Sequence, residues 1–450
     1  MNPSRPYPSR RRVLGLGGAL AASAGLGGLA ACSSGPRAGA HGDPAKGDIT
    51  VWSWAGPAAE MRALVPEFTK AHPGIKVTVE DIGNPAIWDK ITTSMAADGA
   101  GLADVLHIGV DYLPAYTDRF PGQLADLGPL GAGKYRTAFA DGLWQTVSLD
   151  GSRVDALPWE ANSGGFYYRA DVFEQAGVDV TALGTWDDTI EAGREIKAKT
   201  GTYLLGIDKP ASQQDSANLF QLLLQLQGAM YFDLDGAITV SSPEAVLAMT
   251  LIKRMNDAGL VNDISGGWNS LISSVKSGTA AVLPWPTWFG GVIEDSVPDQ
   301  AGLWGVRLPP AVQPGGTNAA TVNSTHLAVS GTSRHQAAAF RFVEFVLTRP
   351  RSQVRIYRNQ GIAPALMAAY EDPVFHQPSE FFGGQKKGEI FLDALRADSP
   401  AFNYTSDYAR ALKAVTDAQT RVLLRGADPA TELRRAADQL AAQTARKVAR

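Results

Sequence analysis

Ile49 and Val51 alternate with polar neighbours and lead into Trp52-Ser53-Trp54, the period-two pattern of a half-buried strand. Met61, Leu64, Val65 and Phe68 then recur at helical spacing until His72-Pro73-Gly74 stops them. Ile75 to Val79 alternates again, and a second helical stripe carries Trp88, Ile91 and Met95 and ends near Gly99. Asp104-Val105-Leu106-His107-Ile108 follows as a short buried strand. The order strand, helix, strand, helix, strand predicts an α/β unit with a largely parallel sheet. Similar alternation fills most of the chain, but the end differs. Tyr408, Leu412, Val415, Gln419 and Val422 mark one helical face; beyond Gly426 and Pro429, Leu433, Ala437, Leu440 and Thr444 mark another. Two amphipathic helices packed on a lobe surface are expected there.

One apolar stretch has no helical or strand period. Val13 to Ala31 is Gly/Ala-rich, follows Ser9-Arg10-Arg11-Arg12 and runs through Leu29-Ala30-Ala31 into Cys32, the only cysteine. Charge, weakly apolar run, small residues and cysteine in that order read as a secretory signal (residues 1–31), resembling a bacterial twin-arginine lipoprotein signal with Cys32 as the lipidated residue. A membrane-spanning helix fits less well, because six of the nineteen positions are glycine and each costs about 1 kcal/mol of helix stability relative to Ala. Residues 32–47, rich in Ser, Gly, Ala and Pro, read as a flexible tether.

Residues 32–450 are too many for one core of about 250 residues, so two lobes are expected. A single cysteine permits no internal disulfide, which leaves stability to the core. Residues 1–31 hold four of the 41 basic residues and none of the 45 acidic ones, so the remainder carries a net charge of about −8. That field, with no Lys/Arg cluster outside the signal, argues against nucleic acid as a partner.

Motifs of catalysis are imitated and not completed. Gly128 to Tyr135 matches a phosphate loop except that Tyr135 stands where Ser or Thr would hold magnesium, and it reads as a surface turn. Asp233-Leu234-Asp235-Gly236 lacks the later ligands of a calcium loop and reads as a hairpin turn. The six histidines show no ligand spacing, and no Gly-x-Ser-x-Gly elbow occurs. No enzyme, metal or cofactor is therefore expected.

The aromatics point elsewhere. Trp52, Trp54, Trp144, Trp159, Trp268, Trp285 and Trp288 fall mostly at predicted strand ends or in Pro/Gly-rich turns. In Leu283-Pro284-Trp285-Pro286-Thr287-Trp288 two prolines forbid a regular helix and hold the indoles in place. Indole faces match the C–H faces of a pyranose, while Asp, Asn, Gln and Glu can bond its hydroxyls.

The chain also resembles a known family. Phe68-Thr69-Lys70-Ala71-His72-Pro73-Gly74-Ile75-Lys76-Val77 is similar to the opening signature of the family 1 extracellular solute-binding proteins of ABC sugar importers, the maltose-binding-protein-like group. Leu157-Pro158, Gly165 to Gly177 and Thr185-Trp186-Asp187-Asp188 resemble the family's middle block. Val275 to Val282, Gly302 to Pro309, His326 to Ser330, Ala337 to Phe340 and Gly361 to Pro364 continue the series. Arg169-Ala170 replaces the usual Asn-Lys, and Asn162 stands where other members carry Glu.

The resemblance implies a two-lobed periplasmic-binding-protein-like α/β fold. Lobe I would comprise residues 48–157 and 327–363, lobe II residues 158–326 and 364–450, with crossings near Leu157, His326 and Pro364 and a C-terminal helical segment. The implied ligand-binding residues are Trp54, Asp111, Tyr112, Asn162, Asn218 and Trp288, with Glu160, Trp285 and Asn323 as neighbours. The implied function is capture of a mono- or oligosaccharide by hinge closure and delivery to a membrane permease, by a monomer anchored outside the cell membrane. A glycerol-phosphodiester or other non-sugar solute is the nearest alternative, favoured if a cation such as Arg307 met the ligand. An anchored glycosidase and an adhesive surface protein are the other readings.

Overall fold

The computed structural model describes residues 42–149, 151–211, 214–322, 324–397 and 402–449. Cys32 and the expected signal, most of the tether, and Asn323 lie outside them.

The strands predicted at the start are present as β1 (Gly47–Ser53), β2 (Ile75–Asp81) and β3 (Val105–Gly109). β1 pairs parallel with both neighbours, with Ile49 beside Val77 and Val51 beside Val105. The helix Ala55–Ala71 between β1 and β2 buries Ala58, Met61, Leu64 and Phe68, the stripe its spacing predicts. The next strands are β4 (Leu157–Pro158), β5 (Phe166–Arg169), β6 (Leu205–Ile207), β7 (Val261–Asp263), β8 (Val282–Leu283), β9 (Trp304–Arg307) and β10 (Thr325–Val329).

Among the described residues the strands form sheets of order β2-β1-β3-β10-β4, β8-β5-β9 and β6-β7. β10 enters the first sheet antiparallel to β3 and β4, so that sheet is only partly parallel. Pairing of His326 with Ile108 joins segments more than two hundred residues apart, which no local period reveals.

Burial resolves into three apolar clusters. The first is built from β1–β4, β10 and the helices Ala55–Ala71, Ala86–Ala96 and Gln336–Leu347. The second runs from Phe166 to Leu260 and is completed by Tyr404 to Leu440. The third gathers Tyr167, Leu271, Phe289, Trp304 and Phe382. Residues Ala365 to Leu395 serve the first and third clusters, and the chain joins the second from Phe402.

The two closing helices are Tyr408–Arg425 and Pro429–Thr444. Gly426 at φ +67° ends the first, and the Asp428 carboxylate caps the second by accepting from the Thr431 N–H at 2.8 Å. Gly131 at φ +96° and the Ala132–Ala138 turn occupy the phosphate-loop lookalike, and Asp233 closes a tight turn on Ala237.

The packing of these helices predicts an asymmetric mutational response. Leu433 is fully buried, whereas Leu424 is 52% exposed. Leu433→Ala should destabilise by about 2–5 kcal/mol, and Leu424→Ala by less than about 0.5 kcal/mol. Urea denaturation of the two variants checks this; similar losses would contradict the described helix faces.

Candidate functional site

The end of β1 delivers Ser53 inward and Trp54 to the edge of the sheet, where extended backbone (φ −139°, ψ 151°) precedes the helix Ala55–Ala71. The Trp54 ring stacks on buried His107 with centroids 4.1 Å apart and meets Trp88 edge-on at 5.3 Å. Trp88 in turn stacks on Tyr112 at 4.5 Å. The residues following β1, β2 and β3 thus build one aromatic surface from Trp54, Trp88 and Tyr112. Asp111 sits beside it, and its charge raises the Tyr404 and Tyr408 phenols of the second cluster, whose main shift comes from burial.

Between the first and second clusters, the segment from β4 to Gly164 carries Glu160 and Asn162, both buried. The Trp159 N–H donates to the Thr325 carbonyl at 2.9 Å, and the Ala161 N–H donates to that of Ala363 at 3.0 Å. Val322 donates to Asn162, and Gly164 to Ala320. Residues near Leu157, His326 and Pro364 therefore lie side by side, as main-chain partners. Thr325 Oγ1 donates to Glu160 Oε1 at 2.7 Å, and Thr287 Oγ1 to Asn162 Oδ1 at 3.1 Å.

A second aromatic group stands on the other side. Pro284 and Pro286 bracket Trp285, which stacks on Phe289 at 4.8 Å, and Trp288 stacks on Trp268 at 6.0 Å. Trp268 is 43% exposed, the most open of the four rings. A recess of about 80 Å³ is lined by Asp208, Ser216, Asn218, Trp268, Pro284 and Trp285. A smaller one beside it shares Asn218 and Trp285 and adds Gln221 and Gly164.

The expected residues thus fall into three groups: Trp54, Asp111 and Tyr112 at the first sheet, Glu160 and Asn162 in the seam, and Asn218 and Trp285 in the recess. Trp288 packs in the ring cluster and lines neither recess. Trp52, Trp144 and Trp159, grouped with the turn-borne indoles by sequence, are buried in the first cluster. The sequence reading missed Trp88, His107 and Thr325. Trp88 shows only a helical core period and His107 only a strand, so neither carries a local signal.

Electrostatically the seam is poised. Burial pushes the Glu160 carboxyl up to about 7, against the downward pull of hydrogen bonds from Thr325 and Asn162. Burial also holds His107 well below its usual value and lowers His326 to about 3, so both imidazoles are neutral. A carboxyl whose folded pKa is raised favours the folded state below its unfolded value, near 4.5, and loses that contribution as pH rises through about 7. Glu160→Gln should therefore match the native protein in stability at pH 4.5 and exceed it at pH 8 by about 1–3 kcal/mol. Denaturant titrations at the two pH values test this, and an equal or larger difference at pH 4.5 would refute the assignment.

Comparison with known proteins bears on the family and the fold. A family model described as bacterial extracellular solute-binding protein matches residues 52–350. A lactose-binding protein of Rhizobium radiobacter is 28% identical over 414 residues, covering 88% of this chain and 93% of that protein. An arabinooligosaccharide-binding protein of Bacillus subtilis (strain 168) is 24% identical over 393 residues, covering 85% and 88%. In fold, the chain is similar to the ABC transporter associated binding protein from B. animalis subsp. lactis Bl-04, solved with beta-1,6-galactobiose. That match has a TM-score of 0.73 at 24% identity, over 88% of this chain and 97% of that one.

Proposed function

This chain belongs to the bacterial extracellular solute-binding protein family, and from that premise we propose that it captures a carbohydrate for an ABC importer. The family is one of binding proteins and not of enzymes. The observation that carries the carbohydrate reading is the pair of aromatic surfaces, Trp54-Trp88-Tyr112 and Trp268-Trp285-Trp288, flanking a seam of buried carboxylate and amide. Rings take the C–H faces of a sugar, and Asp111, Glu160 and Asn218 take its hydroxyls, while buried Asn162 orients the Glu160 carboxyl.

The phosphodiester alternative finds less support. The Arg307 guanidinium is engaged by the carbonyls of Val180 and Leu308, while Asp111 and Glu160 place acids where a phosphate would sit. In this reading lobe I is the body around the first cluster and lobe II the body around the second and third, with residues 157–164, 320–327 and 363–364 as the hinge. Ligand touching both lobes favours the closed arrangement by its differential affinity, and the closed monomer docks on the permease. Cys32 is the lipid anchor on the outer face of the membrane, and Asn323 is a further polar contact.

Two experiments test the reading. In a thermal-shift screen of mono- and oligosaccharides the cognate sugar stabilises the protein by about 2.7 kcal/mol at a hundredfold excess over its dissociation constant. Trp54→Ala and Trp285→Ala then each weaken its binding at least tenfold, or about 1.4 kcal/mol. Trp159→Ala instead costs about 3–5 kcal/mol of folding stability. Undiminished affinity in both ring variants rules out the aromatic surfaces. For the anchor, Cys32→Ser releases the protein from the membrane fraction or leaves its signal uncleaved. Membrane retention with normal cleavage would rule out lipidation.

A further inference from the structure

Beneath the aromatic surfaces runs a continuous line of buried and partly buried hydrogen bonds. Ser53 Oγ lies 2.8 Å from His107 Nδ1, and His107 Nε2 lies 2.9 Å from Thr325 Oγ1. Thr325 Oγ1 lies 2.7 Å from Glu160 Oε1. Beyond the carboxyl, Asn162 bonds Glu160 with its amide and accepts from Thr287 Oγ1. The line starts on β1, crosses β3 and β10, and ends in the turn after β8. Each end lies one residue from a ring of the candidate site: Ser53 precedes Trp54 and Thr287 precedes Trp288.

Counting hydrogens fixes its direction. With Glu160 ionised, Ser53, His107 and Thr325 supply three hydrogens for the three contacts on that side, and all point toward the carboxylate. His107 is then neutral with its hydrogen on Nε2. Protonation of Glu160 brings a fourth hydrogen. If it lies on Oε1, Thr325 and His107 must reverse and Ser53 must turn its own hydrogen out of the line. That reversal turns a buried donor away from its acceptor, which costs on the order of 1–3 kcal/mol.

Resting on the carbohydrate reading, we propose that Glu160 couples ligand capture to the release of a proton. The sugar is held by the form in which every hydrogen of the line points at the carboxylate. Glu160 keeps 7% of its surface exposed, and a ligand hydroxyl that reaches it makes a stronger, charge-assisted hydrogen bond to the carboxylate than to the neutral acid. The titratable groups around it are few. His107 faces it from β3 through Thr325; His326, the next residue on β10, points to the opposite face and bonds Thr146 Oγ1 at 3.2 Å. From the segment at Pro364 the neighbour is backbone, with the Tyr370 hydroxyl bonded to the Pro364 carbonyl behind it. Both histidines stay neutral, so no cation beside them offsets the burial that lifts Glu160 to about 7.

The test is calorimetric titration of the purified protein with lactose, β-1,6-galactobiose and arabinooligosaccharide at pH 6, 7 and 8, in buffers of differing ionisation enthalpy. For a site that titrates near 7 and binds only when ionised, affinity is about tenfold weaker at pH 6 than at pH 8. Close to one proton is released per ligand at pH 6 and almost none at pH 8. Glu160→Gln gives a pH-independent and weakened affinity with no proton release. Equal affinity at pH 6 and 8, binding without proton release at pH 6, or an unchanged slope in Glu160→Gln overturns the coupling while leaving carbohydrate binding intact. Failure of all three sugars to bind at any pH removes the carbohydrate reading and the coupling together.

Discussion

Residues 157–164 run between residues 320–322 and 324–327 on one side and 363–364 on the other, and main-chain hydrogen bonds from Trp159, Ala161, Gly164 and Val322 join them. Three separate passages of the chain thus satisfy one another's backbone where water is excluded, which is the condition for burying irregular chain at all. The same seam takes in the turn after β8, because the Gly165 N–H donates to the Trp285 carbonyl and the Thr287 N–H to that of Ser163. Trp285 and Trp288 are consequently held by the seam as well as by their prolines. Trp54 is tied to it from the other side through Ser53 and His107. Both aromatic surfaces depend on these few hydrogen bonds.

The side chains of the seam face a stricter requirement than its backbone. Glu160, Asn162, His107 and Thr287 are polar groups at or near full burial, Thr325 between them is half-buried, and the water each loses only a partner can replace. Thr325 serves two of them, accepting from the imidazole and donating to the carboxylate, so one side chain makes both contacts possible. A valine of similar shape at 325 would strand a donor and an acceptor at once. This is why the site's chemistry cannot be divided into ligand contacts and supporting contacts: the groups that orient the carboxylate also orient the imidazole on which Trp54 rests.

How much of this was legible follows from the range of each interaction. The first three strands and their helices, and the two closing helices, announce themselves because their core faces repeat within a few residues. The entry of β10 between β3 and β4 is set by pairing across the whole chain and leaves no local trace. Among the tryptophans, residue type and turn context marked Trp54, Trp268, Trp285 and Trp288 as candidates. The same context marked Trp159, which lies one residue from Glu160 yet points into the first cluster. Alternation along an extended segment decides such cases, and a two-residue strand such as β4 is too short to display it. Trp88 was hidden for the opposite reason: its helical period is that of a core residue, and its ring serves the core and the aromatic surface together.

The first and third clusters also meet where no side chain intervenes. Gly361, at φ +66° after the helix Pro350–Gln360, approaches Gly291 so closely that a Cβ on Gly361 would stand 3.3 Å from the Gly291 Cα. A Cβ on Gly291 would stand 3.1 Å from the Gln360 carbonyl oxygen. The helix Phe289–Ser296 belongs to the third cluster and the helix Pro350–Gln360 to the first, so backbone rests on backbone next to the third passage of the seam. A side chain at Gly291 would require the Gln360–Gly361 backbone, two residues before Ala363 of the seam, to give by a few tenths of an ångström. Trp288 and Phe289 stand at the start of that same short helix, so the close glycine contact and the second aromatic group share one element.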